Sequence, residues 1–233
     1  MKTKLFSFLF IFLISTSIIT AQDDPKVGFG IIGGLNIQTI TGKDYYGDKI
    51  DNGLVFGFHA GANANIHIAS DYYFQPGLLF SVKGGKQVVE DNPTKAAANE
   101  ATVVTKLNYI EMPLNFLYRP VLGEGRMLLG FGPYLALGIG GKGKSEGGYV
   151  GDHDFDVKFK NPAPWNSEND TRYCRPLDAG ANIFFGYEMS YGLFFQLNAQ
   201  LGMLKVNSEY EDVDTDETNL KNTGFGLSIG YRF

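Results

Sequence analysis

With a single cysteine, Cys174, the chain cannot close an internal disulfide. Beyond residue 21 it has no run of 18 apolar residues, which excludes a transmembrane helix. Basic charge is not in excess: 20 lysines and arginines face 25 acidic residues. A nucleic-acid backbone needs a basic surface, so nucleic acid is excluded as a partner. Histidines number three. His59 and His67 lie eight positions apart on one expected strand, about 26 Å at strand rise and too far to share a metal. His153 falls in an expected loop. No metal or cofactor is expected.

The first residues form a short basic head, Lys2 and Lys4, then an apolar run from Leu5 to Ile14 and a small-residue stretch ending at Ala21. This is the pattern of a secretory signal peptide over residues 1–21, with a retained anchor as the alternative. No cysteine stands at the expected cleavage point, so a lipid-modified N-terminus is not supported. Without Lys2 and Lys4, 18 basic residues remain against 25 acidic ones, a formal charge of −7.

What the chain has in quantity is glycine, 30 residues, and aromatics, 14%, placed with a period of two rather than 3.6. Residues 223–233 set Thr223, Phe225, Leu227, Ile229, Tyr231 and Phe233 against Gly224, Gly226, Ser228, Gly230 and Arg232. Strict alternation assigns each set to one face of a strand. Seven more segments repeat it, at residues 27–38, 53–68, 72–83, 105–118, 127–140, 177–189 and 193–204. The second opposes Phe56 and Phe58 to Gly57, His59, Gly61 and His67; the third opposes Phe74, Leu78, Phe80 and Val82 to Gln75, Ser81 and Lys83. The joins after the second, fourth and sixth segments are short, at residues 69–71, 119–126 and 190–192. Those after the first, third, fifth and seventh are long and polar, at residues 39–52, 84–104, 141–176 and 205–222.

Short turns on one side and long loops on the other belong to a transmembrane antiparallel β-barrel with its apolar set facing lipid. The expectation is an all-β, eight-stranded outer-membrane barrel over residues 22–233, with both termini periplasmic. Tyr231 and Phe233, ending in Tyr-Arg-Phe, match the signal that such proteins present to barrel insertion machinery. Ten strands are the alternative if residues 149–160 add a hairpin. There Phe155, Val157 and Phe159 alternate with Asp154, Asp156, Lys158 and Lys160. That charged face suits a strand extension beyond the bilayer better.

Tyr109-Ile110-Glu111-Met112-Pro113-Leu114 is similar to the Tyr-Leu-Glu-Ile-Pro-Leu motif of the PorT-like outer-membrane β-barrel family, and Asp178-Ala179-Gly180 and the glycine-aromatic last strand also resemble it. The resemblance implies an eight-stranded barrel in a Gram-negative outer membrane. One branch of that family is linked to protein secretion and gliding machinery.

Pro113 removes a ladder hydrogen bond and is expected to mark a bulge. Glu111 is on the luminal face, where a carboxylate needs partners. Lys83, Arg119 and Arg232, with Asp178 and Glu188, share that face and are expected to build a luminal charge network. Candidate chemistry is sparse. His59 with Ser81, or His67 with a carboxylate, would serve a lipid-modifying enzyme, but no local motif joins them. Asp152, Asp154 and Asp156, and Asp212, Asp214 and Asp216, resemble calcium loops but lack the glycine and later glutamate of an EF-hand; solvated loops are the plainer reading. The six acidic residues of 209–217 could gather cations between lipopolysaccharide heads. Residues 142–149 are glycine-rich without a following helix and are not a phosphate loop. Residues 161–169, with Trp165, suit an external recognition loop or an interfacial anchor. The expected role is therefore structural or interactive, without catalysis, through loops that meet lipid, lipopolysaccharide and an extracellular or secretion-machinery partner. The alternatives are a narrow channel or transport accessory, and the lipid-modifying enzyme.

Overall fold

The computed structural model describes residues 26–43, 47, 49–50, 52–90, 100–147, 151–164, 170–209 and 218–233. The expected signal peptide, Trp165 and Asp212, Asp214 and Asp216 lie outside them. The described strands are β1 Val27–Lys43, β2 Asn52–Gly53, β3 Val55–Ala69, β4 Tyr72–Glu90, β5 Glu100–Tyr118, β6 Val121–Leu122, β7 Gly125–Gly147, β8 His153–Phe159, β9 Thr171–Cys174, β10 Leu177–Glu188, β11 Leu193–Gly202 and β12 Asn219–Arg232.

Eight of them close a ring. β1 pairs with β3, then the antiparallel order runs β4, β5, β7, β10, β11 and β12, and β12 pairs back onto β1 from Gly30↔Arg232 to Lys43↔Asn219. Closure leaves no unpaired edge within the ring, the condition for a sheet to sit in lipid. The period-two pattern sets the faces. Leu35, Phe56, Leu78, Phe131, Ile183, Leu197 and Phe225 are exposed on the outside, while Asn36, Gln75, Ser81, Asn115 and Ser228 are buried inside. The short joins each turn on a left-handed residue: Ser70 (φ +43°), Gly123 (φ +63°) and Gly192 (φ +90°).

Three local expectations need correction. The bulge is not at Pro113, which stays in register with Tyr134; it lies between Asn108 and Tyr109, which face Gly140 and Gly138 and leave Ile139 as the extra residue. Val82 is buried rather than lipid-facing. The β3–β4 ladder stops at His59↔Ser81 and resumes one residue out of step where β2 meets β4 at Asn52↔Gln87. That break lets Asn36 Nδ2 reach the Val82 carbonyl at 3.4 Å. The strands also run further than expected at the long-join end: β1 to Lys43, β4 to Glu90, β5 from Glu100 and β7 to Gly147. In particular, 142–147 is strand, not a glycine-rich loop.

At that end the wall continues by other means. β8 pairs with the upper part of β7, from Gly141↔Val157 to Ser145↔His153, and β9 pairs parallel to β8. Cys174 bridges to Asn207, and the Val206 amide donates to the Leu220 carbonyl at 2.8 Å, returning the wall to β12. β8 is thus a strand extension, and the transmembrane ring has eight strands.

Candidate functional site

The interior is a stack of layers with different chemistry. At the short-join end, Arg232 Nε donates to Glu188 Oε2 at 2.8 Å and Arg119 pairs with the same carboxylate. The Arg232 guanidinium lies 5.4 Å from the centre of the Phe194 ring. Phe194 belongs to an apolar layer with Ile32, Leu117, Leu128 and Phe184, all buried. Glycines on adjacent strands make room for its rings: a Cβ at Gly130 would stand 2.1 Å from Phe184, and one at Gly230 would stand 2.2 Å from Phe194.

Ile32 and Phe184 also line the next layer, a cavity of about 90 Å³ walled by Asn36, His59, Gln75, Ser81 and other amide side chains. Room of this size holds several waters among polar partners. Its far side carries Glu111, whose Oε2 lies 2.7 Å from Lys83 Nζ; Gln200 Nε2 donates to Glu111 Oε1 at 2.8 Å. Lys83 also reaches Asp178 Oδ2 at 3.3 Å and lies 4.0 Å over the Tyr134 ring. Asn222 Nδ2 donates to Asp178 Oδ2 at 3.0 Å, and the Tyr134 hydroxyl lies 3.4 Å from both carboxylate oxygens. Tyr109 and Tyr134 begin the last layer, which is apolar: Leu107, Ala136, Phe155, Val157 and Cys174.

The structure thus brings the six anticipated charged residues into two separate groups rather than one. Lys83, Glu111 and Asp178 gather beyond the cavity, and Arg119, Glu188 and Arg232 gather at the short-join end. Both are buried or nearly so, where an ion without its partner costs several kcal/mol. Tyr109, Tyr134 and Asn222 complete the first group. Tyr109 fell within the family motif, but nothing in the local sequence set Asn222 beside Asp178, since that contact passes from β12 to β10 over β11, which lies between them.

His59 is buried in the cavity wall, but its partners are not those expected. Its Nδ1 lies 2.7 Å from Asn36 Oδ1 and its Nε2 lies 2.8 Å from Ser228 Oγ, while Ser81 contacts Asn36. His67 keeps the face of His59, since His67↔Tyr73 continues the register of His59↔Ser81, but it stands exposed at the short-join rim, its ring 5.2 Å from that of Tyr73 and its Nε2 2.8 Å from the Ser70 carbonyl. Asp152 caps the Gly147 amide at 2.9 Å. Asp154 and Asp156 project outward from β8, and no metal-binding cluster occurs among the described residues. In the long-join extension, burial pushes the Cys174 thiol up to about 11. At the C-terminus, the Phe233 amide donates to Phe29 O at 2.9 Å, and Tyr231 and Phe233 stack edge-on with centroids 5.3 Å apart.

A closed ring with an apolar outer band and a polar, filled interior defines a membrane-spanning β-barrel. The family model described as outer membrane protein beta-barrel domain matches residues 6–233, and the chain belongs to that family. Its place is the outer membrane. Among solved structures, it is similar to Ail, the attachment invasion locus protein of Yersinia pestis. In complex with the heparin analogue sucrose octasulfate that protein is 13% identical, covering 89% of this chain and 99% of Ail at a TM-score of 0.37; a second Ail structure gives 11%, the same coverage and 0.36. The P. putida toluene transporter TodX gives 11% identity, 91% and 90% coverage and a TM-score of 0.20. Comparison with curated proteins gives no match.

Proposed function

We propose that this chain is a small interaction barrel, working without catalysis through the folded extension at its long-join end, which faces the cell exterior while both termini are periplasmic. The observation that carries the reading is the double occlusion of the lumen. A buried apolar layer on Phe184 and Phe194 lies below the cavity, and another on Leu107, Phe155 and Val157 lies above it. Eight strands leave an interior that side chains can fill, and here they fill it with large ones. The wall meanwhile extends past the apolar band with a polar exterior suited to an aqueous partner. The expected result in planar bilayers is no stable single-channel step, together with surface protease cleavage of intact cells within the long joins. Stable conductance steps would instead favour the second reading, a narrow conduit or secretion accessory like the PorT-like branch. That reading draws on the polar cavity and the Tyr109–Leu114 motif.

A lipid-modifying enzyme has one point in its favour, the contact of His59 with Ser228. It requires substrate to reach a serine walled in on both sides. Mass spectrometry of lipid A after incubation with the purified barrel is expected to show no mass change, and a change would move the assignment to the enzyme.

A further inference from the structure

Just above the apolar band, the outer face carries lysines that form no ion pair among the described residues. Lys106 on β5 stands directly opposite Lys142 on β7. Lys86 on β4 pairs with Val104, one outward step beyond Lys106, so it is diagonal to Lys106 across the sheet. All three are exposed. Like charges directly opposed across an antiparallel pair repel. Among the described residues none of the three makes an ion pair, whereas Lys144 beside them is held by Glu146 at 2.6 Å. Asp156 is the cross-strand neighbour of Lys142 on its other side but does not reach it. With Asp154 and Asp170 it forms the acidic wall of an open groove of about 510 Å³ whose other wall is lysine.

The position matters as much as the charge. On the same face, the apolar row Phe80–Ile110–Leu137 lies four residues below the Gly84–Lys106 pair on β4 and β5, and on β7 the exposed Ile139 of the bulge lies between that row and Lys142. Four residues span about 13 Å of strand, or about 10 Å of depth at the usual barrel tilt. A lysine stem can bend its ammonium back several ångströms towards the band. The headgroup layer is about 5–8 Å thick on each side of the hydrocarbon, so the ammonium groups lie at its level.

We propose that Lys86, Lys106 and Lys142 form a binding site for the phosphate groups of lipid A in the leaflet around the long-join end. The choice of leaflet rests on the orientation proposed above; the phosphate chemistry rests on the lysine row alone. An anion between Lys106 and Lys142 relieves the repulsion of the opposed pair, which no carboxylate among the described residues reaches, and the apolar band beside it takes the acyl chains.

The test is a titration of bisphosphorylated lipid A into the purified barrel in an uncharged detergent, read as the rise in thermal midpoint with lipid concentration. Lys106→Gln/Lys142→Gln is expected to weaken binding roughly thirtyfold, about fivefold per lysine. Its midpoint without lipid should be unchanged or raised, because repulsion is relieved; a merely structural pair would lower it. Lys158→Gln/Lys160→Gln, on and beyond β8, should bind lipid A as the wild type does. Equal affinity of the Lys106/Lys142 double variant and the wild type would overturn the proposal. So would an equal loss in the control variant, or equally tight binding of dephosphorylated lipid A or phosphatidylglycerol. Because the titration uses purified protein, its failure leaves the interaction-barrel reading standing, while that reading fails separately on conductance or on surface protection of the long joins.

Discussion

On β1, Leu35 and Thr41 lie on the same outer face six residues apart, yet the chain treats them as though they faced different solvents. Beside Leu35 the interior residue is Asn36; beside Thr41 it is Ile40. β12 repeats the exchange, with Leu227 outside and Ser228 inside lower down, then Lys221 outside and Leu220 inside near its start. The lower region is inverted, apolar towards lipid and, above and below one buried apolar layer, polar within. The upper region has the polarity of a water-soluble protein, with Ile40, Val206 and Leu220 buried together on its inside. One sheet runs through both, so strand geometry does not separate them. The side on which water lies does, and the exchange marks the upper limit of the bilayer on each strand.

The sharpest contrast is between a charged interior below and an apolar one above. Lys83→Met leaves Glu111 and Asp178 buried without their cation, and is expected to cost about 4 kcal/mol. That should appear as a large fall in thermal midpoint in detergent, or as failure to fold. The triple variant Lys83→Met/Glu111→Gln/Asp178→Asn removes the stranded charges and should recover most of the loss. If the single variant is as stable as wild type, the lower interior is not organised by this ion group.

The outer faces can be compared on one strand. Leu35→Lys puts an ammonium in the apolar band and is expected to destabilise by about 3 kcal/mol in a bilayer. Thr41→Lys should change stability by less than about 0.5 kcal/mol. Urea titration of both variants in lipid vesicles measures the difference, and similar costs would erase the proposed boundary between them.

Within the upper region, Gly143 faces the Phe155 ring, and a Cβ there would stand 2.0 Å from it. Gly143→Ala should push β8 outward at about 2 kcal/mol, a roughly thirtyfold rise in local opening. Limited proteolysis near β8 would report it. Gly28→Ala, with nothing within 4 Å of the added carbon, should be silent. An equal rate for the two would mean that Phe155 does not pack against β7 as described.

Most of the lower region was legible in the sequence because lipid demands apolar residues on one face, and the eight segments carry that demand in alternation. The upper region was hidden by the same criterion. Past Gln38, Lys83 and Gly140 the alternation persists with its sign reversed, so the strand continuations read as polar loops. The charged luminal residues could be placed on a face, since the period fixes parity. Their division into two groups could not, because it depends on the height at which each strand enters the ring. The partners of His59 were missed for that reason. Ser81 is its neighbour on the next strand, but Ser228 is brought close through β1, which lies between β3 and β12.

The smallest effect at neutral pH concerns Cys174, which tests whether the upper interior is dry. Burial holds its thiol near 11 in the folded chain against an ordinary value of 9.0. The thiol is therefore protonated in both states well below pH 9.0, and its ionisation has no effect on stability there. As pH rises from 9.0 towards about 11 the unfolded chain loses this proton first, so stability declines across that window and levels once the folded thiol also ionises. Cys174→Ala should flatten this part of the stability profile while leaving neutral pH nearly unchanged. In the wild type, maleimide at pH 7.5 should label the unfolded chain and leave the folded barrel almost unlabelled, since the reactive thiolate is scarce and shielded. Rapid labelling of the folded barrel would place water around Cys174, and the upper region would then share the wet interior of the lower one.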